Sequence, residues 1–195
     1  MEAKAILFHS NLKDRCYDFI TGKEDLIISY NDKDDVWLGS GMYFWDTQGN
    51  VSWWNKMQKK RNPQKEYEIV QVNANIENIL DLTDDLVCHK TQEYWIELCS
   101  RLKCNSNIPL GQKLNTLFEI SGWKKKYECI KVMGKYNNIR NYSGLFEYDI
   151  KSYKAEPTMA TKCIYNIKSP SCIIEKCIYE EGLDYDERRK YTIHR

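Results

Sequence analysis

Histidine, proline and glycine are scarce in this sequence, with three, four and nine in 195 residues. So few prolines and glycines exclude a collagen-like or linker-like chain, and no low-complexity tract or internal repeat is present. No run of about eighteen apolar residues occurs, which excludes a helical membrane span. The eight cysteines form no CxxC pair, so the usual zinc and thiol-redox spacings are missing. Cys88, His89, Cys99 and Cys104 are the one imaginable zinc set, and their spacing fits no established ligand pattern, so no metal is expected. The amino-terminal apolar run, Ala5 to Phe8, is too short for a secretory core. A reduced, cytoplasmic protein with free thiols is the expectation. Charge of one sign is also lacking: 29 basic against 28 acidic residues leave a net +1, which by itself selects no acidic or basic partner.

Apolar residues at 42% and aromatics at 13% suffice for a core, and a mean hydropathy of −0.67 fits a wet surface. Lys56, Lys59, Lys60 and Arg61 form a local basic cluster, readable as a nucleic-acid patch or as a solvated helix face. The most distinctive stretch is Trp37 to Asp46, WLGSGMYFWD. Gly39 and Gly41 permit a tight turn, and the aromatic β-formers behind them suggest a strand that starts at a binding cleft. An ordinary loop entering a buried strand is the plainer alternative.

The periodicities predict an α+β domain spanning residues 1–195. A strand over 4–8 delivers His9 to its end, a helix covers Leu12 to Ile20, and Leu26 to Tyr30 reads as a short extended piece. A helix from near Thr47 stops before Pro63. Alternation over Glu66 to Ile76 predicts a long strand, continued at Ile79 to Leu82. Thr83, Asp84 and Asp85 open a helix running toward Leu102, and a second helix covers Gly111 to Ile120, so a helical insert occupies about 83–122. Strands follow at Tyr127 to Met133, Lys162 to Lys168 and Cys172 to Tyr179, the last two joined at Ser169-Pro170. Lys151 to Met159 reads as an exposed loop.

LFHSN followed by WLGSGMYFWD, with a helix between, resembles the amino-terminal half of ADP-ribosyltransferases of the histidine–tyrosine type. The similarity is greatest to a bacterial group, some members of which are toxins of toxin–antitoxin and phage-defence systems. ATKCIYNIKSPSCII (160–174) is similar to the late strand–turn–strand of that group, and the three segments occur in the expected order. The resemblance implies a split antiparallel β-sheet core with flanking helices, and NAD as co-substrate. It implies that His9 bonds the ribose hydroxyls, that the backbone of Ser10 pairs with the nicotinamide amide, and that Tyr43 stacks on the nicotinamide ring. Trp37, Gly39, Gly41 and Phe44 would shape the cleft. ADP-ribose would pass to a macromolecular acceptor, RNA, DNA or protein, selected by the 151–159 loop with Lys151 and Lys154. A neutralising antitoxin is a further implied partner, and no membrane is involved.

The sequence departs from the pattern in two places, one on the first strand and one on the late strand. Ser10 stands where glycine is usual, although a contact through main-chain atoms survives that change. On the late strand, the positions of the group's glutamine and histidine fall on Ile164 and Lys162, neither of which does a carboxylate's work beside an oxocarbenium-like ribose. Glu156, then Glu147, are the candidate catalytic acids on proximity. A catalytically inactive relative that binds NAD or a partner, and a plain α+β interaction domain, are the alternatives. In the last case Tyr43 is buried and His9 faces no cleft.

Overall fold

The computed structural model describes residues 3–29, 37–136 and 160–179. Its chain order is β1 (Lys4–Leu12), α1 (Lys13–Thr21), β2 (Met42–Trp45), α2 (Gln48–Arg61), β3 (Tyr67–Asn75) and β4 (Ile79–Asp81). Then come α3 (Asp85–Leu102), α4 (Leu110–Ile120), β5 (Cys129–Lys135), β6 (Thr161–Ile167) and β7 (Ile173–Ile178). This is an α+β protein with a mixed sheet of strand order β4-β5-β6-β2-β1-β3-β7. Every neighbouring pair is antiparallel except β4 with β5, which run parallel. No helix of the described residues is long and apolar enough to cross a membrane, and all eight cysteines are free thiols.

The sheet is nearly divided in two. β1 pairs with β3 over nine residues and β5 with β6 over seven, whereas β1 meets β2 only where Phe8 faces Trp45. One group of strands is therefore β4-β5-β6-β2 and the other β1-β3-β7. The two curl over a shared core that takes Leu7 from β1, Met42 and Phe44 from β2, Val70 and Val72 from β3, and Tyr165 and Ile167 from β6, with Phe19 and Ile20 of α1.

The short link between β6 and β7 requires this curl. Those strands stand four places apart in the sheet, about 19 Å if the sheet were flat. Only residues 168–172 join them, and three of these, Pro170–Cys172, form a single compact 3₁₀ turn. A link of that kind bridges the gap only if the sheet bends round to bring β7 back toward β6. The strands on either side of Ser169-Pro170 are thus not a hairpin, whose partners would be adjacent. Leu26 to Tyr30 forms no strand over its described part, 26–29, and makes only an isolated bridge from Ser29 to Gly41.

The helices follow from local chemistry. Thr47 caps α2 by accepting the Asn50 N–H, and Asp84 caps α3 by accepting from Leu86 and Val87, so each side chain satisfies backbone donors that the first turn leaves orphaned. Leu114 and Phe118 of α4 pack with Leu38, Leu80, Ile130 and Ile164 on the outer face of the β4-β5-β6-β2 group. Trp95 and Cys99 of α3 close over Leu117 of α4.

Candidate functional site

The site lies where the two strand groups part. Beyond the Phe8–Trp45 pair the ladder between β1 and β2 ends, and the ring of His9 takes its place. His9 Nδ1 lies 2.6 Å from the carbonyl oxygen of Tyr43. A carbonyl only accepts, so Nδ1 carries the proton and Nε2 is a bare acceptor. Asn11 fits this tautomer: its Oδ1 accepts the Leu12 N–H at 2.8 Å, leaving Nδ2 to donate to His9 Nε2 at 3.3 Å. Burial, aided by the nearby Arg15 guanidinium, lowers the His9 pKa to about 4, against the opposing bond to Tyr43. His9 is therefore neutral at physiological pH, an acceptor and positioning group rather than a cation or a ready proton donor.

A cavity of about 670 Å³ opens at this seam. β1 and α1 contribute His9, Ser10, Asn11 and Arg15 to its lining; Trp37 and Tyr136 flank β2 residues Tyr43 and Trp45; and α2 adds Trp54 and Gln58. The volume falls in the usual range of small-molecule sites, and a largely aromatic wall with a few convergent polar groups is their usual chemistry. Tyr136 stacks on Trp37 with ring centres 6.1 Å apart and leans on Trp45 at 6.2 Å. Burial pushes the Tyr136 phenol up to about 12, so it stays protonated. The Ser10 hydroxyl is buried with no hydrogen-bond partner among the described residues, an orphan that costs free energy unless something else satisfies it. Arg15 is held by Glu24 through two side-chain contacts.

The residues singled out by sequence divide into two sets. His9, Ser10, Trp37, Tyr43 and Phe44 are brought together around the cavity. Gly39 and Gly41 are not among its described lining residues; they serve the loop that aims Tyr43. Gly39 has φ +72°, and a Cβ there would lie 2.1 Å from Asn115 Oδ1 and 2.7 Å from the Gly111 carbonyl oxygen of α4. At Gly41, with φ +153°, a Cβ would lie 1.9 Å from Asn166 Oδ1. The glycines thus allow close approach of protein to protein in the loop that carries Tyr43. Tyr43 Oη donates to Gly39 O at 2.6 Å and accepts the Leu38 N–H at 3.1 Å, fixing its ring against the cavity.

Asn115, Asn166, Lys168 and Gly134 went unnoticed in the sequence. Asn115 Oδ1 accepts from the backbone N–H and hydroxyl of Ser40. Asn166 Nδ2 donates to Gly39 O, and Lys168 Nζ to the carbonyls of Leu38 and Ser40. A Cβ at Gly134 would come within 2.9 Å of the Trp37 ring, so its hydrogen leaves space for that indole. Only the helical spacing of Asn115 and the strand position of Asn166 were readable beforehand, and neither discloses a partner far along the chain.

Ile164 pairs with Trp45 in the β2–β6 ladder and lines the cavity, so the late-strand position faces the site with an apolar group. Lys162, two residues earlier, is not among the lining side chains and lies in the field of Asp46, whose carboxyl is raised by burial. Among the described residues no carboxylate lines the cavity. Glu147 and Glu156 lie outside the described residues, as do Lys151 and Lys154. Cys88, His89, Cys99 and Cys104 do not converge, and no group of described side chains is arranged to hold a metal ion. No protein-family model, curated protein or solved structure matches this chain.

Proposed function

We propose that this protein is an ADP-ribosyltransferase of the histidine–tyrosine type, which holds NAD in the seam cavity and transfers ADP-ribose to a macromolecule. The observation that carries the reading is the direct bond from His9 Nδ1 to the Tyr43 carbonyl. Two residues 34 apart, each assigned to NAD by the sequence resemblance, meet beside one aromatic-walled cavity. The chemistry of the lining suits the parts of NAD. Tyr43 offers a fixed aromatic face to the nicotinamide ring, which loses its positive charge as the glycosidic bond breaks. A ribose hydroxyl would donate to His9 Nε2 in place of the Asn11 amide, the Ser10 hydroxyl has no partner among the described residues, and Arg15 supplies positive charge for the diphosphate. In the split-sheet reading, β6 carries the late-strand motif and β2 the tyrosine, side by side.

In this mechanism the residues orient and desolvate the nicotinamide–ribose bond. The bond breaks with its electron pair leaving on nicotinamide, and a nucleophile of the acceptor attacks the anomeric carbon as it loses a proton. Glu156 or Glu147 would take that proton. A second reading, an inactive relative that binds NAD without turnover, is favoured by Ile164 occupying the late-strand position inside the cavity.

Purified protein with labelled NAD, alone and with cell lysate, separates the two readings. The transferase releases nicotinamide and labels a macromolecule, and the His9→Ala, Tyr43→Ala double variant does neither. Saturable NAD binding without nicotinamide release establishes the inactive binder. Absence of binding refutes both.

A further inference from the structure

Helix α2 has two faces of different chemistry. Val51 is fully buried, and Trp54 and Gln58, three and seven residues on, line the cavity. Arg61, three residues beyond Gln58, continues the same helical stripe and is exposed. Trp53, Lys56 and Lys60, again at intervals of three and four, form the outward stripe, and Trp53 is 54% exposed. The Trp53 and Trp54 ring centres lie 6.4 Å apart, so aromatic surface is continuous from the outer face to the cavity wall.

The charge around this face is of one sign. Residues 47–65 contain Lys56, Lys59, Lys60, Arg61 and Lys65 and no aspartate or glutamate, in a chain whose other residues sum to −4. Glu66 follows and draws on Lys59, but it is engaged by Lys13 at 2.6 Å. Among the described residues, Lys56, Lys60 and Arg61 enter no ion pair. Cations in a last helical turn complement the macrodipole, which accounts for part of Lys59–Arg61 but not for Lys56 a turn earlier or for the half-exposed Trp53 three residues before it. Helix α3 offers the contrast: it interleaves Asp85, Glu93 and Glu97 with Lys90 and Arg101, as an ordinary solvated face does.

We propose that the outer face of α2 is the docking surface for a single-stranded nucleic acid, the acceptor of the transfer. Trp53 stacks an unpaired base, Lys56, Lys60 and Arg61 take backbone phosphates, and the strand passes Trp54 to the cavity. Stacking on an exposed aromatic combined with a one-signed cationic track is how single strands are held without sequence preference. A duplex hides its base faces and gives Trp53 nothing to stack on. The role as acceptor rests on the transferase reading; the docking itself does not.

The test is fluorescence anisotropy of the full chain with labelled oligothymidine and oligouridine of about 15 nucleotides, without NAD. The expected result is saturable binding that weakens steeply with salt. Trp53→Ala lowers affinity about 5- to 100-fold, and Trp53→Phe restores most of it. The double variant Lys56→Ala, Lys60→Ala reduces the salt slope by about 1.4, two single-strand phosphate contacts. Absence of binding at low salt overturns the inference, as does affinity indifferent to Trp53. Equally tight binding of a blunt duplex, or of a polyglutamate peptide of matched charge, overturns it too. Strand binding by a protein that does not turn over NAD upholds the docking surface and refutes the transferase. NAD turnover by a protein that ignores the strand does the reverse.

Discussion

The two strand groups bring different chemistry to the same seam. The β4-β5-β6-β2 group supplies apolar and aromatic surface: Tyr43, Trp45 and Ile164, with Trp37 and Tyr136 packed beside them. From β1 come polar atoms, His9, Ser10 and Asn11, at the end of a strand whose earlier residues Leu7 and Phe8 are buried core. A sheet paired continuously would have buried these groups against each other. Because β1 and β2 share one pair only, the strands diverge and the polar end of one faces the aromatic wall of the other across a cavity. The comparison shows that the site is made by an interruption of pairing, and that His9 occupies it because its ring spans the gap a ladder hydrogen bond no longer does.

The largest effect is expected on the aromatic side, where Gly39→Ala combines left-handed backbone strain with a clash against the α4 backbone at Gly111. The expected loss is about 3 kcal/mol in urea unfolding. Adding Asn115→Ala does not recover it, since the Gly111 carbonyl stays in place. A loss under about 1 kcal/mol would mean that the loop is not clamped between α4 and β6.

On the polar side, the lowered His9 pKa makes stability pH-dependent. Between its ordinary value of 6.5 and its folded value of about 4, the unfolded chain binds the proton that the folded chain refuses. The stability associated with neutral His9 is therefore full above 6.5 and falls as pH drops toward 4, by about 3 kcal/mol. The difference between parent and His9→Gln across this window isolates it from the carboxylates. A ring titration by NMR with its midpoint near 6.5 instead would place the imidazole in water and dissolve the contrast between the halves.

A smaller effect is expected at the joint. Tyr43→Phe keeps the aromatic wall but strands the Leu38 N–H and removes a donor to Gly39 O, costing about 1–2 kcal/mol. If the ring geometry matters more than the phenol, NAD affinity falls less in Tyr43→Phe than in Tyr43→Ala, which isothermal titration measures directly.

Most elements were legible because their signals are local. Thr47 and Pro63 bracket α2 (Gln48–Arg61), Asp84 opens α3, and the alternation over Glu66 to Ile76 contains β3 (Tyr67–Asn75). Strand β1 runs to Leu12, beyond the 4–8 expected, because Ser10, Asn11 and Leu12 pair with Ile69, Glu68 and Tyr67. Polar residues enter a strand when a partner strand takes their backbone groups, and a single-strand pattern gives no sign of that. The pairing of His9 with Tyr43 was legible only through resemblance, since nothing in either segment's own composition names the other.

The residues alone determined which segments become helices and strands, that an apolar core exists, and that an aromatic, glycine-led stretch and a strand-end histidine stand out. These follow from periodicity, capping and composition, which act within a turn or two of chain. Tertiary structure decided that β6 and β7, joined by five residues, belong to different strand groups four places apart in the sheet, and that Gly39 and Gly41 yield to Asn115 and Asn166. It also decided that the histidine loses its charge. Each depends on which distant groups share a volume, and close packing and desolvation are properties of that volume rather than of any stretch of sequence.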